Sequence, residues 1–256
     1  MKKRKAGIIV LAGLLIITAI WIGCMDTEVR RTSGRVLAEH IAGQGMLRLV
    51  KQSVEEKSTK VTAVELSSEG QQHSRAALTF DDGPDSRYTP ILLDGLKERD
   101  VHASFFLLGE KISQYPELVQ RMQEEGHLVG NHTYHHVQLD KLNETEAREE
   151  ILKTNNLIYE TIGVYPQYMR PPFGAWKKNL ELCVEMMPVF WTIDTLDWKV
   201  KNTEKILSTV EAQIEDGAII LMHDEYETSV EAAFQVADLL KEQGYELVTV
   251  DQLIMP

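Results

Sequence analysis

The chain has only two cysteines, Cys24 and Cys183, in 256 residues. Cys24 closes an apolar segment and Cys183 falls in a helical pattern, so there is no disulfide framework. Cys183 reads as a small buried apolar residue. Basic charge is also scarce: 27 Lys and Arg stand against 39 Asp and Glu, for a net charge of −12. Four of the basic residues, Lys2, Lys3, Arg4 and Lys5, lie before the first acid, so residues 26–256 alone go from −12 to −16. A surface this acidic disfavours nucleic acid and anionic lipid as main partners. No Gly-rich nucleotide fingerprint follows any expected strand, which argues against a dinucleotide-binding fold. Disorder of the bulk is excluded by a hydrophobic content of 43% and a charged content of 26%.

The first 25 residues differ from the rest. Behind the basic cluster, Ala6 to Met25 carries no charge over 20 residues. As a helix this stretch spans about 30 Å, the thickness of a bilayer core. It is longer than the apolar region of a cleaved signal peptide, about 7–15 residues, so residues 6–25 read as a retained anchor. Ile22-Gly23-Cys24 also resembles a lipoprotein cleavage site, with Trp21 a poor fit to it, and a cleaved signal is the remaining alternative. The basic flank predicts that the N-terminus stays in the cytoplasm and the remainder is exported. Residues 26–75 are mixed and then polar, and read as a stalk or linker.

From Ala76 a rhythm appears. Strands are expected at Ala76–Phe80, Ser104–Leu108, His127–Gly130, Gln167–Met169, Val189–Ile193, Ala218–Met222 and Glu246–Val250. Helices are expected between them, at Tyr88–Arg99, Pro116–Gly126, Glu144–Ile162, Lys177–Met186, Thr203–Asp216 and Ser229–Gln243. Asn143 is placed to cap the longest helix, and Gly163 to stop it. Alternation of this kind implies parallel strands joined by right-handed crossovers. A closed or partly closed barrel of seven strands accounts for it best, and an open doubly wound sheet is the alternative.

In either architecture the functional groups lie at the C-terminal ends of the strands. Asp81-Asp82-Gly83-Pro84 follows the first strand. Side chains alternate along a strand, so the two acids should point different ways, suiting one to hold a cation and the other to move a proton. A solvated Asx-type turn is the plainer reading. After the third strand comes Asn131-His132-Thr133-Tyr134-His135-His136, which holds three of the eight histidines. The i, i+4 spacing of His132 and His136 puts both rings on one side of a helical turn, with His135 creating a rival pair. Two imidazoles and a carboxylate with an open position suit a catalytic zinc site. Arg170-Pro171-Pro172-Phe173-Gly174, Asp194-Thr195-Leu196-Asp197-Trp198 and Leu221-Met222-His223 close three further strands.

In order and approximate spacing, these five groups resemble the motifs of the polysaccharide deacetylase family, carbohydrate esterase family four or the NodB homology domain. The likeness covers about residues 75–253. It implies a distorted, partly closed (β/α) barrel of about seven parallel strands. Residue by residue, it implies that Asp81 is the general base and that Asp82, His132 and His136 bind a divalent metal, with zinc favoured by two His and an Asp. It implies that Arg170 pairs with the base, that Asp197 tunes His223 as general acid, and that the Phe173 N–H faces the oxyanion. Trp198 resembles a groove wall and Leu221 part of the acetyl-methyl pocket, and His135 is left as a bystander. The expected activity is removal of N-acetyl groups from an extracytoplasmic glycan, peptidoglycan amino sugars first. Chitin-like oligomers, O-acetylated glycans and a catalytically silent glycan-binding relative are the alternatives.

Overall fold

The computed structural model describes residues 74–176 and 185–254. The expected anchor (1–25), the stalk or linker (26–75) as far as residue 73, both cysteines and most of the expected Lys177–Met186 helix lie outside them.

The first strand, β1 (Arg75–Asp81), is buried along its whole length from Ala76. Its uninterrupted apolar run is what a parallel strand covered on both faces requires. Parallel partners flank it. β2 (Ser104–Leu107) and β7 (Ala218–His223) lie on either side, and β8 (Glu246–Leu247) pairs with Arg75 and Ala76. With β3 (Leu128–Asn131), β4 (Tyr168–Met169), β5 (Met187–Pro188) and β6 (Ile193–Asp194), the sheet runs in the order β5-β4-β3-β2-β1-β7-β6.

That order decides between the two architectures. Seven strands laid flat at about 4.8 Å spacing would put β5 and β6 roughly 29 Å apart. Yet the Val189 N–H donates to Met169 O on one edge, and the Thr192 N–H, three residues on, to Ile219 O on the other. Three residues reach only about 10 Å. The sheet must therefore curl until one extended segment bridges its two edges, giving a partly closed barrel. This also corrects the single strand expected at Val189–Ile193. Its ends pair with opposite edges, so its middle belongs to no ladder. The strand expected at Glu246–Val250 is shorter than read, because Val250 opens a helix.

Helices α1 (Tyr88–Glu98), α2 (Gly109–Ile112), α3 (Pro116–Glu124), α4 (Glu144–Ile162), α5 (Asp197–Val200), α6 (Thr203–Gln213), α7 (Glu227–Glu242) and α8 (Val250–Ile254) complete the described residues. Asn143 and Glu146 form a reciprocal capping box on α4, and Gly163 ends it in the left-handed conformation (φ 74°). Ala76, Leu78 and Phe80 of β1 pack outward with Leu92, Leu96, Val236 and Leu240 of the helices. Phe80 stacks on Phe105 at 5.3 Å, and truncating such a ring to Ala costs about 3–5 kcal/mol. The alternate residues Ala77, Thr79 and Asp81 then face the barrel interior, as do Ile219, Leu221 and His223 of β7.

Candidate active site

The period of two and the β1–β7 register bring the first pair of groups together. Asp81 is the direct neighbour of His223, and Thr79 of Leu221, across the same inner face. Arg170, fully buried after β4, reaches across the interior to this face. Its Nη1 donates to Thr79 Oγ1 at 2.7 Å and to Asp81 Oδ1 at 2.8 Å, and its Nε to Val189 O at 3.3 Å. The guanidinium lies over the Phe106 ring, 4.3 Å from its centroid. A side chain at Gly130 would collide with that ring, its Cβ falling 2.6 Å from a Phe106 carbon. Glycine in β3 thus leaves Phe106 room to carry the arginine that holds Asp81.

Asp82 leaves the strand in the left-handed region (φ 70°), which Asp tolerates better than most residues. Its side chain meets the histidine loop, where Asp81 Oδ2 also comes within 3.8 Å of His132 Nε2. Asp82 Oδ1 lies 3.4 Å from His132 Nε2 and 3.4 Å from His136 Nε2. This oxygen is buried and has no hydrogen-bond partner. Burial opposes ionisation of Asp82, but the neighbouring His132, His136 and His223 outweigh it and hold its carboxyl well below the usual range. Burial pushes the His136 imidazole below its ordinary value, with Asp82 opposing, which favours the neutral form.

These three residues fit a divalent metal. Zinc bound tetrahedrally at about 2.0–2.1 Å separates its ligand atoms by about 3.3–3.4 Å. That is the spacing from the orphaned Asp82 oxygen to each imidazole. His132 Nδ1 lies 2.6 Å from Arg170 O, so its proton is fixed there and Nε2 is left to coordinate. Among the described residues this is the single Asp/Glu/His/Cys cluster with such convergence. His135 sits elsewhere, exposed and paired with Glu150 at 2.7 Å. The pairing of His132 with His136 does not arise as the spacing predicts. Residues 132–136 form no helical turn; Thr133 (φ 67°) and His136 (φ 54°) are both left-handed, and that bend turns the rings together.

Opposite the histidine pair, His223 Nδ1 lies 2.7 Å from Asp197 Oδ1, and its backbone N–H donates to Asp197 Oδ2 at 2.8 Å. Burial alone would lower the pKa of His223, but the Asp197 carboxylate outweighs it and raises it to about 9. Asp197 is fully buried and opens α5, between the left-handed residues Leu196 and Lys201. His223 Nε2 points toward Asp82 Oδ2 at 3.9 Å.

A cleft of about 500 Å³ joins these groups, lined by Asp81, Asp82, His132, His136 and His223 with Phe173, Trp198 and Leu221. Every residue that the family likeness gave a role, His135 the bystander aside, thus falls in or directly behind one cleft. Phe173 is left-handed (φ 60°), its ring lies tilted against that of His136 with centroids 4.7 Å apart, and its amide donates to no described backbone group. Sequence reasoning missed Trp191, Glu225 and Tyr226, which also line the cleft, and gave Asp194, another lining residue, no role of its own. Glu225 and Tyr226 follow His223 at the same strand end, so the strand-end rule already pointed there. Nothing local marked Trp191, which sits in the edge-bridging segment.

A parallel barrel with an Asp-His-His centre and a buried Asp-Arg pair at its C-terminal mouth defines a class of metal-dependent hydrolytic barrels. Comparison with known proteins places the chain within it. The polysaccharide deacetylase family model matches residues 68–189. The peptidoglycan-N-acetylglucosamine deacetylase PgdA of Listeria monocytogenes is 44% identical over 181 residues, covering 71% of this chain and 39% of that protein. A peptidoglycan-N-acetylglucosamine deacetylase of Bacillus cereus is 40% identical over 187 residues, covering 70% of this chain and 68% of that one. The solved structure of peptidoglycan deacetylase PdaC from Bacillus subtilis is similar with a TM-score of 0.70 and 42% identity, covering 72% of this chain and 91% of that one. The chain belongs to the polysaccharide deacetylase family. It spans about two-fifths of the length of the Listeria protein.

Proposed function

We propose that this chain is a zinc-dependent N-deacetylase of peptidoglycan amino sugars, working outside the cytoplasmic membrane to which residues 6–25 anchor it. One observation carries the reading: Asp82, His132 and His136 converge beside the Asp81–Arg170 and His223–Asp197 pairs, all in one cleft. The relatives named as peptidoglycan deacetylases support the substrate class, and the uncharged stretch behind Lys2–Lys5 supports the location.

Asp82, His132 and His136 hold the cation. When bound, such a cation lowers the pKa of water from about 15.7 to near 7 and polarises a carbonyl. Asp81 is the base that takes a proton from the attacking water, and Arg170 keeps its carboxylate oriented through the 2.8 Å bond. The Phe173 N–H faces the developing oxyanion; one such donor is worth about 2.7–4 kcal/mol. His223 donates its Nε2 proton to the departing nitrogen as the C–N bond breaks, and the water oxygen ends in acetate. Asp197 keeps that imidazole charged beforehand. Leu221, nearly buried in the cleft floor, faces the acetyl methyl, and the half-exposed Trp198 offers a ring to a sugar.

The test is acetate release from purified peptidoglycan and from chitooligosaccharides, with and without a chelator. Release from peptidoglycan that stops on chelation and returns with zinc is expected. No release from any glycan by zinc-loaded protein would sink the enzyme reading. Recovery of the chain in the soluble fraction would sink the anchor.

A further inference from the structure

We propose that Glu150, on α4 and outside the cleft, is the positioning residue that holds the histidine loop in its metal-binding shape. The inference rests on the reading of Asp82, His132 and His136 as a metal centre. His132 is oriented through its ring, by the Arg170 carbonyl. His136 has no such carbonyl among the described residues; its ring packs on Phe173 and His132. The direction of His136 therefore depends on the backbone between the two ligands.

That backbone is unfavourable on its own, with Thr133 and His136 both left-handed. Glu150 Oε2 accepts the two successive amides at its centre, from Tyr134 at 3.0 Å and His135 at 2.9 Å. Oε1 takes the His135 ring at 2.7 Å, which keeps that imidazole off the centre. Neighbouring groups fix the flanks. Thr133 O and Tyr134 O accept from the amides of Gly109 and Glu110. Asn131, bonded to Ile151 O and Asn155 Oδ1 of α4, accepts the Thr133 amide at 2.6 Å. Lys153, one turn beyond Glu150, places its ammonium 3.3 Å from the Tyr134 ring centroid. Glu150 is the one described side chain that bonds both amides midway between the ligands.

The test is the zinc affinity of the purified protein, read by competition with a chromogenic chelator. Glu150→Ala is expected to weaken zinc binding by roughly 10–100-fold. Glu150→Gln, whose carboxamide oxygen can still accept both amides, is expected to stay within about threefold of the wild type. His135→Ala keeps the two amide bonds and is expected to do the same. Glu150→Asp keeps the charge but is one methylene too short, and should bind at least about tenfold more weakly; it carries the test if the alanine variant does not fold. Unchanged melting of the metal-free variants shows the loss to be local. Wild-type affinity in Glu150→Ala or Glu150→Asp overturns the proposal, as does a His135→Ala loss as large as that of Glu150→Ala. A wild-type protein that binds no zinc overturns the metal centre itself, a result distinct from either.

Discussion

Histidines and carboxylates gather at both ends of this barrel, and the two gatherings are built oppositely. At the C-terminal mouth, Asp82 meets His132, His136 and His223 without a lysine or arginine bonded to it among the described residues. At the other end, His102 and His127 lie 6.0 Å apart beside a cleft of about 320 Å³, together with Glu124 and Glu125. There the acid is already neutralised: Glu125 pairs with Lys97 at 3.2 Å and with Arg121 at 2.9 Å. His127 uses Nδ1 to accept the Ala103 amide at 3.1 Å. Burial lowers its pKa to about 4. At this end the acid is paired within the protein, and the lone unpartnered His127 Nε2 joins no converging set of ligand atoms among the described residues. The mouth instead leaves converging acceptor atoms that call for a cation. Residue type alone does not separate a site from a structural cluster; the partners do.

The largest expected effect breaks the comparison outright. His132→Ala or Asp82→Asn should abolish both zinc content and acetate release, whereas His127→Gln should leave both near wild type. Metal analysis and an acetate assay on the same preparations decide it, and loss in His127→Gln would overturn the distinction.

Next comes the division of labour at the mouth. Asp81→Asn should lower kcat by roughly 10²–10⁴-fold while zinc stays bound. Loss of zinc in this variant would mean that Asp81 is a ligand rather than a base.

The third prediction concerns pH. The folded value of His223, about 9, keeps its proton in place until the pH rises through that value, so kcat should fall on the alkaline side near 9. Asp197→Asn removes the charge that outweighs burial, and the alkaline limb should move well below that of the wild type. A limb that stays put would remove His223 from the role of acid.

The smallest effect is on stability, at the opposite end. His127 has a folded value of about 4 against an ordinary 6.5, so the fold favours its neutral form. Its contribution is complete above pH 6.5 and is lost as pH falls through 4. The change is on the order of 3 kcal/mol. Urea unfolding of wild type and His127→Gln at pH 7.5 and 4.5 should show the smaller pH dependence in the variant.

Much of this was legible locally. The 3.6-residue pattern and the Asn143 and Gly163 signals placed α4 to the residue, because caps and periodicity act within one or two turns. The strand ends carried the acids, the ligand-like histidines and the arginine of the mouth. Three things were not legible. The Val189–Thr192 segment looks like any short strand, since its change of partner depends on both sheet edges. The histidine loop keeps helical spacing in sequence yet bends through two left-handed residues, held in part by Glu150, 15 residues beyond His135. Trp191 joins the cleft only because that segment crosses the barrel.

By itself, then, the sequence determined the parallel α/β alternation, the limits of α4 and the residue types at each strand end, all consequences of short-range sterics and hydrogen bonding. Tertiary structure decided the curling of the sheet and the partners of the two adjacent acids. Asp81 belongs to Arg170, 89 residues away, and Asp82 to the histidine loop. The backbone turns between them at φ 70°, and only closure of the barrel supplies the separate partners that give each acid its own role.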